Sequence, residues 1–339
     1  MPTLASERLQ RLLGLFSRED RLLITINADP DAMASAIALK RLLWRQVSAV
    51  TIAHVNVIRR PDNLAMIRLL KLSLVPIQKA NPEDFTRFAI LDSQPSHHEA
   101  FQGLHFDVII DHHPVTDVNE AHFVDIRPEY GATSTIMTQY IRAAKIKPSM
   151  QLATGLFHGI KTDTSNFARK ASMEDVNAFQ FLFRYVNVHI ARSIDQAEIT
   201  RDSLKYYRKA LEDMRVRKQR AHVHLGPVTT PDTCVSIADF FMKIHDIAWA
   251  IVSGIHQGRL IIVVRNDGVR KDAGKLLAKV FGQIGQAGGH KAMARAEVPL
   301  ENLEGIVQYE DPNVLSRWMM RSLDRAAPSP KPKTQNNKN

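Results

Sequence analysis

Cysteine is almost absent from this chain, where Cys234 stands alone among 339 residues. A single thiol excludes an internal disulfide framework and a zinc site built on cysteines. No apolar run approaches the roughly 18 residues that a membrane span needs. The opening segment, MPTLASERLQRLLGLFSRED, breaks its leucine pattern with charges. It therefore reads as a surface helix and not as a secretion signal. No internal repeat is visible. These absences lead us to expect a cytoplasmic protein with no membrane partner.

What is present is ordinary in bulk and uneven in charge. The apolar share of 45% is that of a globular protein, and the length exceeds one ordinary core, so two domains are expected. The net charge is +10. Part of it lies in residues 326–339, where Lys331, Lys333 and Lys338 face no acid. The stretch from Arg201 to Arg220 carries eight basic and three acidic residues. A basic surface favours polyanions through counterion release. By itself this stretch reads first as a solvated helix face, so the charge fits a phosphate-bearing ligand without selecting one.

The first half alternates short apolar β-type runs with segments of helical period, the pattern of a parallel sheet flanked by helices. Strands are expected over Arg21–Asn27, Val50–Val57, Phe88–Leu91 and Phe106–Ile110. Helices are expected over Asp31–Arg45, Pro61–Lys71, Thr133–Ala144 and Gln151–Lys161. Ser172–Arg220 is mostly helical and increasingly charged. A second α/β unit follows, with strands over Ala221–Leu225, Ala248–Ile255 and Arg259–Arg265 and helices over Ile237–His245 and Ala273–Phe281. The expected organisation is an α/β domain over 1–190, a helical connector over 191–220, a smaller α/β domain over 221–325 and a disordered basic tail over 326–339.

Four acidic features stand out: Asp29 and Asp31 after the first strand, Asp92 closing FAILD, Asp111-His112-His113 closing FDVIID, and Asp163 in GIKTDTSNF. The first three lie at strand ends, where open α/β sheets collect ligands. Singly, each has a plain structural explanation, such as a helix cap or a turn. Together they gather several carboxylates and an imidazole pair at one sheet edge, which is unfavourable unless cations neutralise them. Oxygen-rich donors with one or two imidazoles suit manganese or magnesium. Metals there would acidify a bound water and polarise a phosphoryl oxygen, the requirements of phosphoester hydrolysis.

With these residues in view, the sequence resembles the DHH phosphoesterases. The family's D-x-D motif matches Asp29-Pro30-Asp31 with Ala34-Ser35, its lone aspartate Asp92, its namesake triplet Asp111 to His113, and its G-x-x-x-D-T segment Gly159 through Asp163-Thr164. The C-terminal half resembles the associated substrate domain, with Gly288-Gly289-His290 as its Gly-Gly-His motif and Arg265 ending an earlier strand. The resemblance spans roughly residues 20 to 300, with the motifs in the expected order.

The resemblance implies that Asp29 and Asp31 bind different metals, that Asp92 bridges them, and that His112 and Asp163 complete the second site. It implies one or two Mn²⁺ or Mg²⁺ ions, with Asp111 orienting its neighbours and His113 facing the phosphate or leaving group. Gly288 and Gly289 would admit a phosphate to backbone N–H groups near a short helix start, with His290 and Arg265 adding side-chain contacts. The family's metal-binding histidine, four residues before the first aspartate, is Thr25 here. Thr25 and Asn27 are expected to share a face with Asp29, as weaker oxygen donors. The family's glycine before serine is Ala34, and its closing Ala-Gly after Gly-Gly-His reads Ala294-Arg295.

By this resemblance the chain acts on short oligoribonucleotides or on a small nucleotide phosphate such as 3′-phosphoadenosine 5′-phosphate (pAp), as the nano-RNase and pAp phosphatase branch does. The alternative is a nucleotide- or nucleic-acid-binding regulatory protein with an impaired metal centre. A third reading makes single-stranded nucleic acid a docking partner of the basic surface. A homodimer remains open.

Overall fold

The computed structural model describes residues 4–116, 121–168, 171–196, 199–268 and 272–326. Contacts divide the chain into two compact units, 1–198 and 199–339. The first contains α1 (Leu4–Leu13), β1 (Arg21–Ile26), α2 (Pro30–Leu42), β2 (Ala49–His54), α3 (Pro61–Leu70), β3 (Val75–Pro76), β4 (Arg87–Leu91), β5 (Val108–Asp111), β6 (Phe123–Ile126), α4 (Thr133–Ala143), α5 (Met150–Asp163), α6 (Met173–Phe183) and α7 (Val188–Asp195). Its six strands pair in the order β3-β2-β1-β4-β5-β6, all parallel. The chain runs outward from β1 to β3 and returns on the other side of β1 as β4. The order therefore reverses between β1 and β4, and a crevice opens at their carboxyl ends.

Alternation along the strands divides the core. Leu22, Ile24 and Ile26 of β1 join Ala89, Leu91, Val108 and Ile110 in the main cluster with α2, α4 and α5. Ile90 and Ile109 point the other way, against Phe101 and Phe106. In α2 the buried residues Ala32, Ala34, Ser35, Ala36 and Ala38 are small, so α4 and α5 pack closely against it. The opening helix does form, but Leu9 and Leu12 bury its apolar side in the core while Arg8 reaches Asp125 at 3.1 Å.

The second unit contains α8 (Leu204–Asp213), β7 (Arg215–Arg217), β8 (Arg220–Pro227), α9 (Asp232–Phe241), β9 (Trp249–His256), β10 (Arg259–Asn266), α10 (Ala273–Phe281), β11 (Gln286–Gly289), β12 (Met293–Pro299) and α11 (Pro312–Ala326). Its sheet is mixed, in the order β11-β12-β10-β9-β8-β7, with only β8 and β9 parallel. One face packs on α8 and α9, the other on α10 and α11. Three expectations need correction. The helix expected over Ile237–His245 runs from Asp232 to Phe241, because Thr233, Cys234 and Ile237 already supply its buried stripe. Within 191–220, α8 and β7 belong to the second unit, with β7 pairing on β8. Ala326 closes α11, and the rest of the expected tail, 327–339, lies outside the described residues.

Among the described residues, no helix is long and apolar enough to cross a membrane.

Candidate metal centre

Each acidic residue is held by a specific local arrangement. Asp29 caps α2, accepting the Ala32 N–H at 2.9 Å. Asp31, in the first turn of α2, accepts the amides of Thr133 and Ser134 at 2.6 and 2.7 Å. Those are the first amides of α4, whose own cap residue Ala132 has no acceptor side chain. Asp31 thus does from a distant helix what a cap does locally, and both helix N-termini favour its negative charge. Asp92 follows β4 with φ of +57°, a left-handed conformation rare outside glycine, and accepts from the Thr133 hydroxyl at 2.7 Å. Asp163 is the last residue of α5.

Asp111 ends β5 fully buried and accepts three side-chain or backbone donors. One oxygen takes the His112 N–H and His113 Nδ1, both at 2.8 Å, and the other takes Gln94 Nε2 at 2.6 Å. Burial alone would raise its pKa, but these bonds hold it below the usual carboxylate value. His113 in turn is raised, against the effect of burial, by its bond to Asp111.

Asp31, Asp92, His112 and Asp163 each offer a donor atom within 4.8 Å of the others. Asp29 is not part of this group. His112 Nδ1 lies 3.3 Å from the Tyr130 carbonyl, which sets the proton on Nδ1 and leaves Nε2 as the donor to a cation. Nε2 is buried and makes no hydrogen bond, although oxygens of Asp163 and Asp92 stand 3.1 and 3.5 Å away. Burial, followed by the charges of neighbouring carboxylates, pushes Asp29 up to about 7, Asp31 to about 6 and Asp92 well above its ordinary value. Burial opposes the charged form of His112, yet Asp163 and Asp31 lift it to about 9. An orphaned imidazole nitrogen among mutually repelling carboxylates fits a divalent cation, which would relieve both defects.

Sequence reasoning missed the residues that hold this group. The sequence marks Thr133 and Ser134 only as the start of an expected helix and does not single out Gln94 or His97. Gln94, fully buried, also accepts from the amide and hydroxyl of Thr116 through Oε1. His97 stands edge-on to His113, with ring centroids 5.6 Å apart. The one available signal was Gly159. A Cβ there would lie 2.5 Å from Ser134 Oγ and 3.0 Å from Asp31 Cα, so only glycine lets α5 close on the site. Thr25 and Asn27 do not extend a strand face to Asp29, because β1 ends at Ile26. Thr25 pairs in register with Ile90 and donates its hydroxyl to the Ala89 carbonyl at 3.2 Å, while Asn27 is exposed.

In the second unit, Arg265, Gly288, Gly289 and His290 line one cavity of about 570 Å³. The expected short helix start at Gly288-Gly289 is absent, since both glycines end β11 and the chain turns into β12. Gly289 has φ of +140°, and a Cβ there would strike Met293 O at 2.4 Å. The His290 N–H is already spent on Met293 O at 2.7 Å. Arg265 donates through Nε to Asp239 at 2.7 Å.

Residues 21–160 match the DHH family, N-terminal domain. Over 280 residues the chain is 36% identical to an uncharacterized protein of Methanocaldococcus jannaschii, an alignment covering 82% of this chain. The chain spans 58% of that relative's length. Among solved structures, an exopolyphosphatase-related protein from Bacteroides fragilis superposes with a TM-score of 0.73 at 16% identity, covering 94% of this chain and 96% of that one. The exonuclease RecJ bound to manganese superposes with a TM-score of 0.52 at 13% identity, covering 97% and 96%. These two share the fold. The parallel sheet, the acidic strand ends and the Asp-His-His triplet agree with the family match: residues 21–160 form a DHH-family N-terminal domain.

Proposed function

We propose that this chain is a metal-dependent phosphoesterase that hydrolyses short oligoribonucleotides or a small nucleotide phosphate such as pAp. The observation that carries this reading is the convergence of Asp31, Asp92 and Asp163 on the buried Nε2 of His112, which makes no well-formed hydrogen bond to any of them. A divalent ion held there would acidify a water and polarise a phosphoryl oxygen. Manganese, the metal bound in the RecJ structure, suits the oxygen-rich donor set.

The chain's own groups divide the remaining work. Asp31 and Asp92 are held by α4 and cannot swing away from the cation site. Asp29 lies beside them, so its charge contributes to the field at the cation whether or not it coordinates. Asp111 fixes the His113 ring through Nδ1, and its carboxylate favours the protonated imidazole. His113, half exposed, then offers a proton from Nε2 to the departing oxygen.

One observation favours a second reading, nucleotide binding with little turnover. Thr25 replaces the family's histidine and spends its hydroxyl on Ala89. Both readings are tested by incubating purified protein with Mn²⁺ and dinucleotides, pAp or model phosphodiesters, with Asp111→Ala and Asp163→Ala as controls. Hydrolysis lost in both variants is the expected result. Tight nucleotide binding without turnover of any substrate would leave the regulatory reading. Activity surviving both substitutions would move the centre elsewhere.

A further inference from the structure

Three imidazoles stand in a row at the metal centre. His112 lies innermost, with its side chain 14% exposed, and its ring centroid is 4.5 Å from that of His113. His113 is 37% exposed, and the exposed ring of His97 stands 5.6 Å from it. A nitrogen of His97, a nitrogen of His113 and an oxygen of Asp111 lie within 4.8 Å of one another. The row therefore runs from the buried cation group out to solvent, where the chain leaves β4 and β5.

His97 is oriented by its own turn. After Asp92 the chain makes a short 3-10 turn over Pro95–His97, in which the backbone N–H of Gln94 donates to His97 Nδ1 at 3.2 Å. The Ser93 hydroxyl stands 3.4 Å from the same nitrogen. A protonated ring would have no lone pair for that N–H, so the ring is neutral and its one proton sits on Nε2. Among the described residues, Nε2 has no hydrogen-bond partner. The side chain of Gln94 fastens this turn to the loop after β5. Its Nε2 donates to Asp111 and to the Pro114 carbonyl at 2.6 and 3.1 Å, and its Oε1 accepts the amide and hydroxyl of Thr116. The hydroxyls of Ser96 and Thr116 add a contact at 2.8 Å. Closing the turn uses Nδ1 alone. Water satisfies an exposed N–H at little cost, so exposure by itself assigns nothing to Nε2; its fixed place beside His113 and the cation group does.

We propose that His97 is a third imidazole of the active site, one that donates from Nε2 to a non-bridging oxygen of the phosphate held at the cation. This role rests on the phosphoesterase reading. The two outer rings then differ in task. His113, bonded to the Asp111 carboxylate, carries a proton to the departing oxygen. His97, whose Nδ1 bonds to no carboxylate, keeps its proton and grips the phosphate equally in the ground state and the transition state. Loss of such uniform binding raises KM and leaves kcat in place.

The test uses the Mn²⁺-loaded full chain and bis(4-nitrophenyl) phosphate, a model diester. His97→Ala should raise KM about tenfold to a hundredfold and change kcat by no more than about threefold. His97→Gln, which keeps an N–H donor of similar reach, should recover part of the loss. Mn²⁺ affinity and the unfolding midpoint should match those of the wild type, since the ring is exposed. An unchanged KM in folded His97→Ala would overturn the proposal, and an accompanying fall in Mn²⁺ affinity would make the ring a prop of the Gln94 turn. Binding of inorganic phosphate, followed by calorimetry with Mn²⁺ and again in EDTA, separates this role from the enzyme reading. The component that requires Mn²⁺ should weaken in His97→Ala by the same factor. If the wild type turns over no diester, the enzyme reading falls and this component alone decides. Its loss in His97→Ala would sustain the phosphate donor, and its absence or insensitivity to His97 would end it.

Discussion

The two units solve opposite electrostatic problems. In the first, like charges converge: Asp31, Asp92 and Asp163 meet at the buried Nε2 of His112, with the charge of Asp29 close by. In the second, Arg265 and Arg295 each have a carboxylate of their own, Asp239 and Glu297. The first arrangement is strained without a cation, whereas the second is nearly neutral. Divalent metal should therefore act mainly on the first unit.

The sharpest test of this contrast removes one carboxylate. Asp31→Ala should lower Mn²⁺-dependent hydrolysis by about two to three orders of magnitude, measured under saturating metal. It should leave the fold of the second unit unchanged. A variant that keeps both its metal affinity and its turnover would break the contrast.

Next in size is a pair of substitutions one turn apart on α5. Gly159→Ala forces a methyl onto Ser134 and Asp31 and should cost about 1–3 kcal/mol in denaturant unfolding, with weakened metal binding. Gly155→Ala meets its nearest atom at an ordinary 3.4 Å and should be neutral or stabilising by up to about 1 kcal/mol, through helix propensity. Equal effects at the two positions would mean that α5 does not close on the site as described.

Gln94→Ala tests the support behind Asp111. It leaves a buried carboxylate oxygen without its donor, which should cost about 1–3 kcal/mol of stability. Hydrolysis should fall about tenfold to a hundredfold, because Asp111, which orients the His113 ring, loses one of its own supports. Wild-type rates in this variant would assign Gln94 to folding alone.

The effect spread over the widest range of conditions is the pH dependence of the metal-free protein. Asp31 and Asp29 are raised to about 6 and 7, so the folded state holds their protons longer than the unfolded chain does. His112 is raised to about 9 and behaves likewise. All three contributions favour folding at low pH and are lost as pH climbs from about 4 towards 9. His222 and His224, held down to about 4 by burial, act with the opposite sign below about 6.5. Thermal melts should therefore show the metal-free protein losing stability mainly from about pH 6.5 towards 9, with the increment from added Mn²⁺ growing with pH. A metal increment independent of pH would place the ion away from these carboxylates.

Much of the first unit was legible because apolar runs ending in aspartate mark buried parallel strands. β1, β4 and β5 lie within two residues of the expected bounds, and helix Ala273–Phe281 matches at both ends. β3, with two residues, and β6, with four, carry too little pattern to stand out. β11 is half glycine, so alternation was invisible there until β12 supplied a register. The aspartates were readable as a group, but their supports were not. Thr133 and Ser134 lie more than 100 residues from Asp31, and nothing local ties a helix start to a carboxylate so distant.

The sequence by itself determined which residue types could meet a cation, and that they would cluster at strand ends, since burial pattern and motif order are local properties. Only the tertiary structure decided that Thr25 turns its hydroxyl to Ala89 and that α4 presents its first amides to Asp31. The same holds for Arg295, which shares a sheet face with Arg265. Such relations depend on strand register and helix placement, and these are fixed by long-range packing between segments that share no local pattern.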